Sequence, residues 1–474
     1  MVERPLWTVG ELLDATSGNL IGEISKPLNG VSIDSRSIAE GDIFVAIKGE
    51  KMDGHNFVQQ ALRAGAGVAI VSRPSPEMLP GPVLVVADDP LKALEAMGRA
   101  ARCWNQGKSI AVTGSVGKTS TKEMLRVAFA ASGQTHASAA SFNNHWGVPL
   151  TLARFPREAA YGIFEIGMNH GGEITPLVDM VKPHIAIITT IAASHLGHFK
   201  SLDEIADAKA EIFTGLVEGG IAIINRDTPY FDRLSTAARV AGVKRIVSFG
   251  RHQESDVRMS NVVLHSTCCC ITASVMGEPV VYKLGVPGEH MAVNSLAVLA
   301  AVKLAGADLA RAALALADAA PAKGRGVQQR LRGPAGEILL IDESYNANPA
   351  SVAAALALLA QASSGKKTRK IAVLGDMLEL GEFGPDLHAG LAKNIAELVL
   401  DRVYAAGPLM AHMWAALPEA RRGVHVENSA ELAKRLVPDL REGDVVMVKG
   451  SLGSKMALVV EAIRNGFKPV TGEN

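Results

Sequence analysis

One segment constrains this chain more than any other. An apolar run at residues 109–113 leads into Gly114-Ser115-Val116-Gly117-Lys118-Thr119-Ser120, and good helix-forming sequence follows from Lys118 to about residue 131. A strand entering a glycine-containing turn that opens a helix is the geometry of a phosphate-binding loop. The glycines let the backbone turn sharply and aim its N–H groups inward, and the helix N-terminus adds a positive dipole end. Lys118 is placed to reach the β- and γ-phosphates of a nucleotide, and the Thr119 hydroxyl to ligate Mg²⁺. Gly114, Ser115, Val116, Gly117 and Ser120 complete the cradle. The usual pattern starts one glycine earlier; Val112 stands there, so the loop is a shortened form. Kinases, GTPases and ligases all use such a loop, so it fixes a nucleotide but no reaction. A guanine-reading Asn-Lys-x-Asp is absent, Asn225-Arg226-Asp227 being only a weak approximation.

Around this loop the chain alternates. Candidate strands at 162–166, 185–191 and 221–225 are separated by helical stretches, which predicts βαβ units and a mainly parallel sheet. Residues 258–284 are richer in Thr, Ser and Val and predict an antiparallel portion, with helices at 290–304 and 309–319. Before the loop, short apolar runs at 44–47, 67–71 and 83–86 lie between Gly- and Pro-rich turns, and a helical spacing covers 89–105. After a Gly- and basic-rich stretch at 323–336, alternation restarts with strands at 338–342, 370–374, 402–405 and 444–448. An Ala-rich helix at 350–362 follows the first of these. A length of 474 residues suits two to four domains. The expected fold is therefore three α/β domains: a small mixed N-terminal domain at 1–88, a central P-loop ATPase domain at 89–322, and a Rossmann-like C-terminal domain at 323–474.

Lys plus Arg and Asp plus Glu number 48 each, so the formal net charge is zero. That argues against bulk nucleic-acid binding, which needs basic surface. Cys103, Cys268, Cys269 and Cys270 have neither zinc nor thioredoxin spacing. They read as packing residues in a reducing compartment. The opening segment lacks the apolar core of a signal peptide, and no run approaches the roughly 20 apolar residues that span a bilayer. A cytoplasmic chain without membrane insertion is expected.

Further segments, in order along nearly the whole chain, resemble the Mur ligase family, whose shortened loop is also that of the folylpolyglutamate synthases. They are Asp34-Ser35-Arg36, Phe44 to Gly49 with Asp53-Gly54-His55, Asn143-Asn144 with Gly147-Val148-Pro149, and Glu165 to His170 with Gly172-Glu173-Ile174. Next come His195-Leu196, Ala208 to Phe213, and Gly288-Glu289-His290 with Asn294. Tyr345 to Pro349, Leu374 to Gly381, and Lys449-Gly450-Ser451 complete the series. Asn143-Asn144 and the 165–174 segment resemble the family member that adds D-alanyl-D-alanine rather than the diaminopimelate- or lysine-adding one. The family often has Asn where Ser141 stands, two acids where Asp342-Glu343 stands, and Arg where Leu452 stands.

The resemblance implies an ATP-dependent amide ligase that joins D-alanyl-D-alanine to a UDP-N-acetylmuramoyl-tripeptide through an acyl phosphate. That is a step of peptidoglycan synthesis, and so of cell-wall biogenesis, cell shape and division. It implies Mg²⁺ held by Thr119, Glu165, His195 and Lys209, the last as a carbamate formed with CO₂, which inverts the lysine charge and offers oxygens that Mg²⁺ prefers. It assigns His290, Asn294, Arg325 and Asp342 to ATP, with Lys118, Glu165, His195, Lys209, Asn294 and Arg325 catalytic. Ser35, Arg36, Lys48 and His55 are expected at the UDP group, with Asn143 and Asn144 also on substrate. Tyr345, Asn346 and Asn348 are expected to seat the dipeptide. A monomer is expected. Without the resemblance, each of these is also an ordinary surface, capping or turn residue. A Tyr-Asn-x-Asn-Pro turn in particular is plain turn chemistry.

Two other classes compete. A folylpolyglutamate synthase shares the loop but not the N-terminal Asp34-Ser35-Arg36 domain. A P-loop ATPase switch needs neither a third nucleotide-facing domain nor the Glu165, His195 and Lys209 set.

Overall fold

The computed structural model describes residues 4–79, 81–363 and 368–470. Residues 1–3, 80, 364–367 and 471–474, which fall within the first and third predicted domains, lie outside the described residues. Three sheets follow one another along the chain. The first is built from β1 (Asn19–Ile21), β2 (Gly30–Ser32), β3 (Asp42–Val45), β4 (Val68–Val71) and β5 (Val83–Val85), in the order β1-β5-β4-β3-β2. Only β1 runs antiparallel to its neighbour.

The second sheet contains β6 (Lys108–Thr113), β7 (Thr135–Ala137), β8 (Tyr161–Glu165), β9 (Ile185–Ile188), β10 (Ile221–Asn225), β11 (Arg245–Gly250), β12 (Val257–Leu264), β13 (Cys269–Val275) and β14 (Glu278–Leu284). Their order is β14-β13-β12-β11-β10-β9-β6-β8-β7. Strands β7 to β12 pair in parallel, and β12-β13-β14 is an antiparallel meander. The parallel strands β6, β9 and β10 are apolar and buried almost throughout, as a sheet covered on both faces requires. After β6 the chain forms β7 and β8 on one side and then crosses to β9 on the other. The loop after β6 thus opens at a topological switch point, where open α/β sheets hold their ligands.

The third sheet has β15 (Val327–Gly333), β16 (Gly336–Glu343), β17 (Arg369–Gly375), β18 (Arg402–Ala406), β19 (Arg422–Val426), β20 (Asp444–Lys449) and β21 (Lys468–Pro469), ordered β19-β18-β17-β20-β16-β15-β21. Its centre is parallel; β15 and β21 are antiparallel additions. Strand β15 lies inside the stretch that the sequence marks as a boundary. Its Gln residues stay half buried and its Arg residues exposed; Leu331 is its one buried apolar side chain, and the β15–β16 ladder pairs the whole strand.

The helix Pro90–Trp104 starts on an Asp89 cap with Pro at its first turn, as its sequence predicts. Leu94, Met97 and Ala101 on one face join Leu150 and Ala153 of the helix Gly147–Ala153 and the core of the first sheet. The Trp7 indole donates to the Ala153 carbonyl at 2.8 Å, and Arg154 reaches the Val31 carbonyl. A second shared core links the other two sheets, running from Ile174, Ile191 and Leu196 to Met377 and Leu380. The second of these junctions positions the third sheet over the loop after β6.

Candidate active site

The phosphate loop is formed by backbone that tolerates no side chain at two points. Gly114 has φ 147°, and a Cβ there would lie 2.0 Å from Thr189 Oγ1. Gly117 has φ 89°, and its Cβ would meet Asn294 Nδ2 at 2.4 Å. Both positions demand glycine for conformation and for close approach. The loop is stitched to the end of β9: Thr189 Oγ1 donates to the Val116 carbonyl at 2.6 Å. Ser115 N donates to the Thr190 carbonyl at 2.8 Å, and Ser115 Oγ to that of Ala192 at 2.9 Å. Lys118 Nζ folds back onto the Gly114 carbonyl at 2.6 Å, across the mouth of the loop.

The loop floors a cleft of about 660 Å³ lined by all three of its surroundings: the β6, β8, β9 and β10 strand ends, the helix Glu289–Leu304, and the third sheet. Of the residues singled out in sequence, the cleft gathers Ser115, Val116, Gly117, Lys118, Thr119, Ser120, Asn143, Glu165, His195, His290, Asn294, Arg325, Tyr345, Asn346 and Asn348. The third domain's contribution approaches closely. Arg325 Nη2 donates to Ser141 Oγ at 3.3 Å, Ser141 Oγ lies 3.2 Å from Thr119 Oγ1, and the guanidinium sits 4.2 Å above the Tyr345 ring.

Glu165 ends β8 and is 1% exposed. Asn143 Nδ2 donates to its Oε1 at 2.7 Å, while its buried Oε2 has no partner. An unpaired buried carboxylate oxygen is costly unless a cation meets it. The charges of Glu165 and Arg325 both act on Lys118, whose pKa is lowered, first by burial. His195 adopts φ 58°, and its Nδ1 lies 2.5 Å from Glu379 Oε2. The approach to His195 lowers the pKa of the Glu379 carboxyl, although the ring nitrogen is not well aligned for a hydrogen bond.

Lys209 does not line the cleft. It is 1% exposed on the helix Leu202–Ala210, behind the floor. Burial, and then the positive charge of Lys118, lower its pKa well below 10.5. No carboxylate pairs with it among the described residues. That is an environment for a neutral amine, or for one whose charge has been inverted. Among the described residues no three His, Cys, Asp or Glu side chains converge as a preformed metal cage. Mg²⁺ rarely uses one, binding instead through one or two carboxylates with waters and substrate phosphates. The unpaired Glu165 oxygen and the Thr119 hydroxyl fit that mode.

Several expected residues sit elsewhere. The Asp342 carboxylate turns away from the cleft, accepting from Ser344 Oγ at 2.6 Å and Arg464 Nη2 at 3.2 Å, and its neighbour Glu343 lines the cleft instead. Consecutive residues of a strand point to opposite faces, so only one of these two acids can face the nucleotide side. Asn144 is exposed outside the cleft lining, its Oδ1 accepting from Trp146 N at 3.2 Å and Gly147 N at 3.0 Å. Ser35, Arg36, Lys48 and His55 lie on the first domain and are not part of the cleft lining. Arg36 forks onto Asp34, holding that carboxyl at about 2. His55 is locked, with Asp53 on Nδ1 and the Ser72 amide on Nε2.

The cleft also holds Glu343, Lys449, Glu379, Ser141 and Asn225, for which the sequence reading proposed no role. Lys449 Nζ donates to Glu343 Oε2 at 3.1 Å and to the Asn346 carbonyl at 3.1 Å. Glu343, Lys449 and Asn225 each end a parallel strand at its carboxyl edge. That position is the signal that could have found them.

Comparison with known proteins agrees with this geometry. Residues 112–302 match the Mur ligase middle domain, 328–452 the Mur ligase glutamate ligase domain, and 27–124 the Mur ligase catalytic domain. The UDP-N-acetylmuramoyl-tripeptide--D-alanyl-D-alanine ligase of Escherichia coli K12 is 36% identical over 463 residues, covering 96% of this chain and 98% of the relative. The Rickettsia prowazekii protein of the same name is 33% identical, covering 93% and 96%. A crystal structure of MurF from Acinetobacter baumannii superposes with a TM-score of 0.83 at 32% identity, covering 97% of this chain and 99% of that one. The fold also matches Thermotoga maritima MurF, solved in complex with ADP, at a TM-score of 0.74 and 24% identity, covering 92% and 97%. The chain belongs to the Mur ligase family.

Proposed function

We propose that this protein joins D-alanyl-D-alanine to UDP-N-acetylmuramoyl-tripeptide at the expense of ATP, completing the pentapeptide precursor of peptidoglycan. One observation carries the reading beyond family likeness. The phosphate loop, the half-satisfied Glu165 and the Arg325 of the third domain face one cleft, with the Tyr345 to Asn348 turn on its far wall.

A carboxylate is a poor electrophile, so it is first phosphorylated. A carboxylate oxygen of the tripeptide attacks the γ-phosphorus of ATP, and the bond to the β,γ-bridging oxygen breaks, with ADP leaving. The neutral amine of the dipeptide then attacks the acyl carbon. The C–O bond to phosphate breaks, inorganic phosphate leaves, and the new amide nitrogen gives up a proton. The first step brings two anions together, a repulsion of about 4 kcal/mol at 4 Å and an effective dielectric near 20. Lys118 of the phosphate loop and Arg325 of the third domain offset it together. Bound Mg²⁺, held by Thr119 and Glu165, with His195 and a carbamylated Lys209 nearby, would supply further positive charge on the phosphates. His290 and Asn294 hold the nucleotide. Glu343 takes the third domain's contact with it, in place of Asp342.

Arg36 and Lys48 are exposed donors on the first domain, suited to a UDP diphosphate, with Ser35 and His55 shaping that face. Asn346 and Asn348 seat the dipeptide beside Tyr345. The three domains are taken as 1–88, 89–322 and 323–474. No helix among the described residues is long and apolar enough to cross a membrane. A monomer working in the cytoplasm, where the nucleotide-linked substrate is made, fits this reading, and so do roles in cell shape and division.

The test is a product assay. Protein, ATP, Mg²⁺, the UDP-muramoyl tripeptide and D-alanyl-D-alanine should yield the pentapeptide mass and one phosphate per amide. Phosphate release that ignores both carboxylate and amine would sink the proposal.

A further inference from the structure

Lys122 is the one charged side chain of the helix Lys118–Ala130 that is wholly buried, at 0% exposure, one turn beyond Lys118. Its ammonium has three donors, and each has a partner. Nζ lies 2.7 Å from the Ser138 carbonyl, 3.2 Å from the Ala140 carbonyl and 2.8 Å from Glu123 Oε1. Burying an ammonium costs several kcal/mol unless it is fully paired, and an apolar side chain would fill the same space without that cost. The cation therefore has a job that packing does not explain.

That job is visible in what it grips. Residues 138–146 join β7 to the helix Gly147–Ala153 without regular structure. The segment is tied down at both ends. Lys122 holds the carbonyls of Ser138 and Ala140 at its front, and the Gly167 amide donates to the Asn143 carbonyl at 2.8 Å at its back. Between these anchors it presents two side chains to the cleft. Ser141 Oγ sits between Thr119 Oγ1 and Arg325 Nη2, and Asn143 Nδ2 occupies Oε1 of Glu165, leaving Oε2 free. The two groups best suited to a cation are thus both oriented from one irregular segment.

We propose that Lys122 is a positioning residue for the metal-bound nucleotide: its carbonyl tether sets the 138–143 segment so that Ser141 and Asn143 hold Thr119 and Glu165 ready for Mg²⁺. This rests on the ligase reading in one respect, that Mg²⁺ enters with the nucleotide.

The experiment measures ADP binding to the full-length protein by calorimetry, with Mg²⁺ and with EDTA, alongside thermal unfolding. In the wild type Mg²⁺ tightens ADP. In Lys122→Met that tightening falls about 10-fold, the scale on which groups supporting a metal ligand act, while ADP affinity in EDTA is nearly unchanged. Glu123→Gln removes the ion pair but neither carbonyl bond, so it keeps the Mg²⁺ effect within about twofold. Should Lys122→Met not fold, Lys122→Gln, with two donors on a shorter stem, gives the same comparison. Equal Mg²⁺ effects in wild type and the Lys122 variant, or an equal loss in Glu123→Gln, overturn the tether. A wild type in which Mg²⁺ does nothing for ADP sinks the ligase reading as well. A lower melting temperature with the Mg²⁺ effect intact makes Lys122 structural only.

Discussion

Gly197 and Gly381 meet backbone to backbone where the central sheet's loops touch those of the third sheet. A Cβ on Gly197 would stand 2.8 Å from the Gly381 nitrogen, and one on Gly381 would stand 2.7 Å from the Gly197 Cα. Beside them the Gly197 amide donates to the Glu379 carbonyl at 2.8 Å, and the Glu379 carboxylate lies against His195. His195 and Glu379 both hold left-handed backbone, at φ 58° and 63°. Non-glycine residues keep that conformation only where their surroundings impose it. The contact fixes how far the Arg325 side of the cleft stands from the phosphate loop.

Gly197→Ala should therefore impair turnover more than folding. A methyl group needs several tenths of an ångström that neither backbone can give, so the two faces must part. A misplacement of about 1 Å at a distance from the chemistry can cost up to about 100-fold in rate. We expect kcat to fall at least about 10-fold while the melting temperature moves by only a few degrees. Unchanged kcat would show that the contact does not set the catalytic distance.

Arg325→Lys should not be conservative. The guanidinium does two things at once, sitting over the Tyr345 ring and reaching Ser141. An ammonium on a flexible stem cannot stack as a plane and donate sideways together. Turnover is expected to drop about 10- to 100-fold, with a smaller change in the ATP KM, because the charge is needed most as the phosphoryl group transfers. A change confined to KM would assign Arg325 to ground-state binding.

Much of the site could be read from sequence because its parts are backbone-driven. Gly114 and Gly117 are required by left-handed φ values and by the proximity of Thr189 and Asn294, and such needs leave glycines at fixed offsets from Lys118. Other features leave no such trace. Strand β15 is hard to see inside a Gly- and Arg-rich stretch because it has a single buried apolar residue, Leu331, and otherwise relies on its ladder with β16. Asp342 and Glu343 could not be told apart without knowing which face of β16 meets the cleft. Lys122 reaches carbonyls 16 and 18 residues away, and a bond to a carbonyl asks nothing of the partner's side chain. Asn144 and His55 have polar groups that suit a substrate, and the sequence does not show that Asn144 Oδ1 also accepts from the Trp146 and Gly147 amides or that His55 bridges Asp53 and Ser72.

Acid should weaken the fold through two buried histidines. His136 stacks on Phe155 with its ring against the Thr151 carbonyl, and burial pushes its pKa down to about 4. His184 accepts from the Ser109 amide; burial first, then Lys108 and Arg102, lower it to about 4. In the unfolded chain both revert to about 6.5. Between these values the unfolded state binds more protons, so stability is full above pH 6.5 and declines as pH falls toward 4. The loss is on the order of 2–3 kcal/mol for well-buried His136 at the acid end, and smaller for half-buried His184, whose charge water screens. Denaturant titrations at pH 7.5, 6 and 4.5 check it, and His136→Gln should flatten the slope. A pH-independent midpoint down to pH 5 would refute it.

The last prediction concerns the charge behind the cleft floor. Lys209 and Lys118 are close enough for the charge of one to disfavour that of the other, and burial acts in the same direction. A free ammonium at 209 is the least comfortable state of this site, and it would also oppose any metal held by Glu165. A neutral amine removes the penalty; a carbamate reverses it. The ammonium first gives up a proton; the neutral amine nitrogen then attacks CO₂, one C–O π bond opens, and a second proton leaves the nitrogen, so the loss of two protons and the gain of CO₂ turn a cation into an anion without any oxidant. Protein equilibrated with ¹³C-bicarbonate should show a carbamate carbon by NMR that disappears in Lys209→Ala. That variant should lose at least about 100-fold in turnover, as expected when a group stabilising developing charge is deleted, and a short carboxylic acid should restore part of it. If Lys209→Ala turns over like the wild type, the anion at this position is not needed, and the unpaired Glu165 oxygen must recruit its cation without that help.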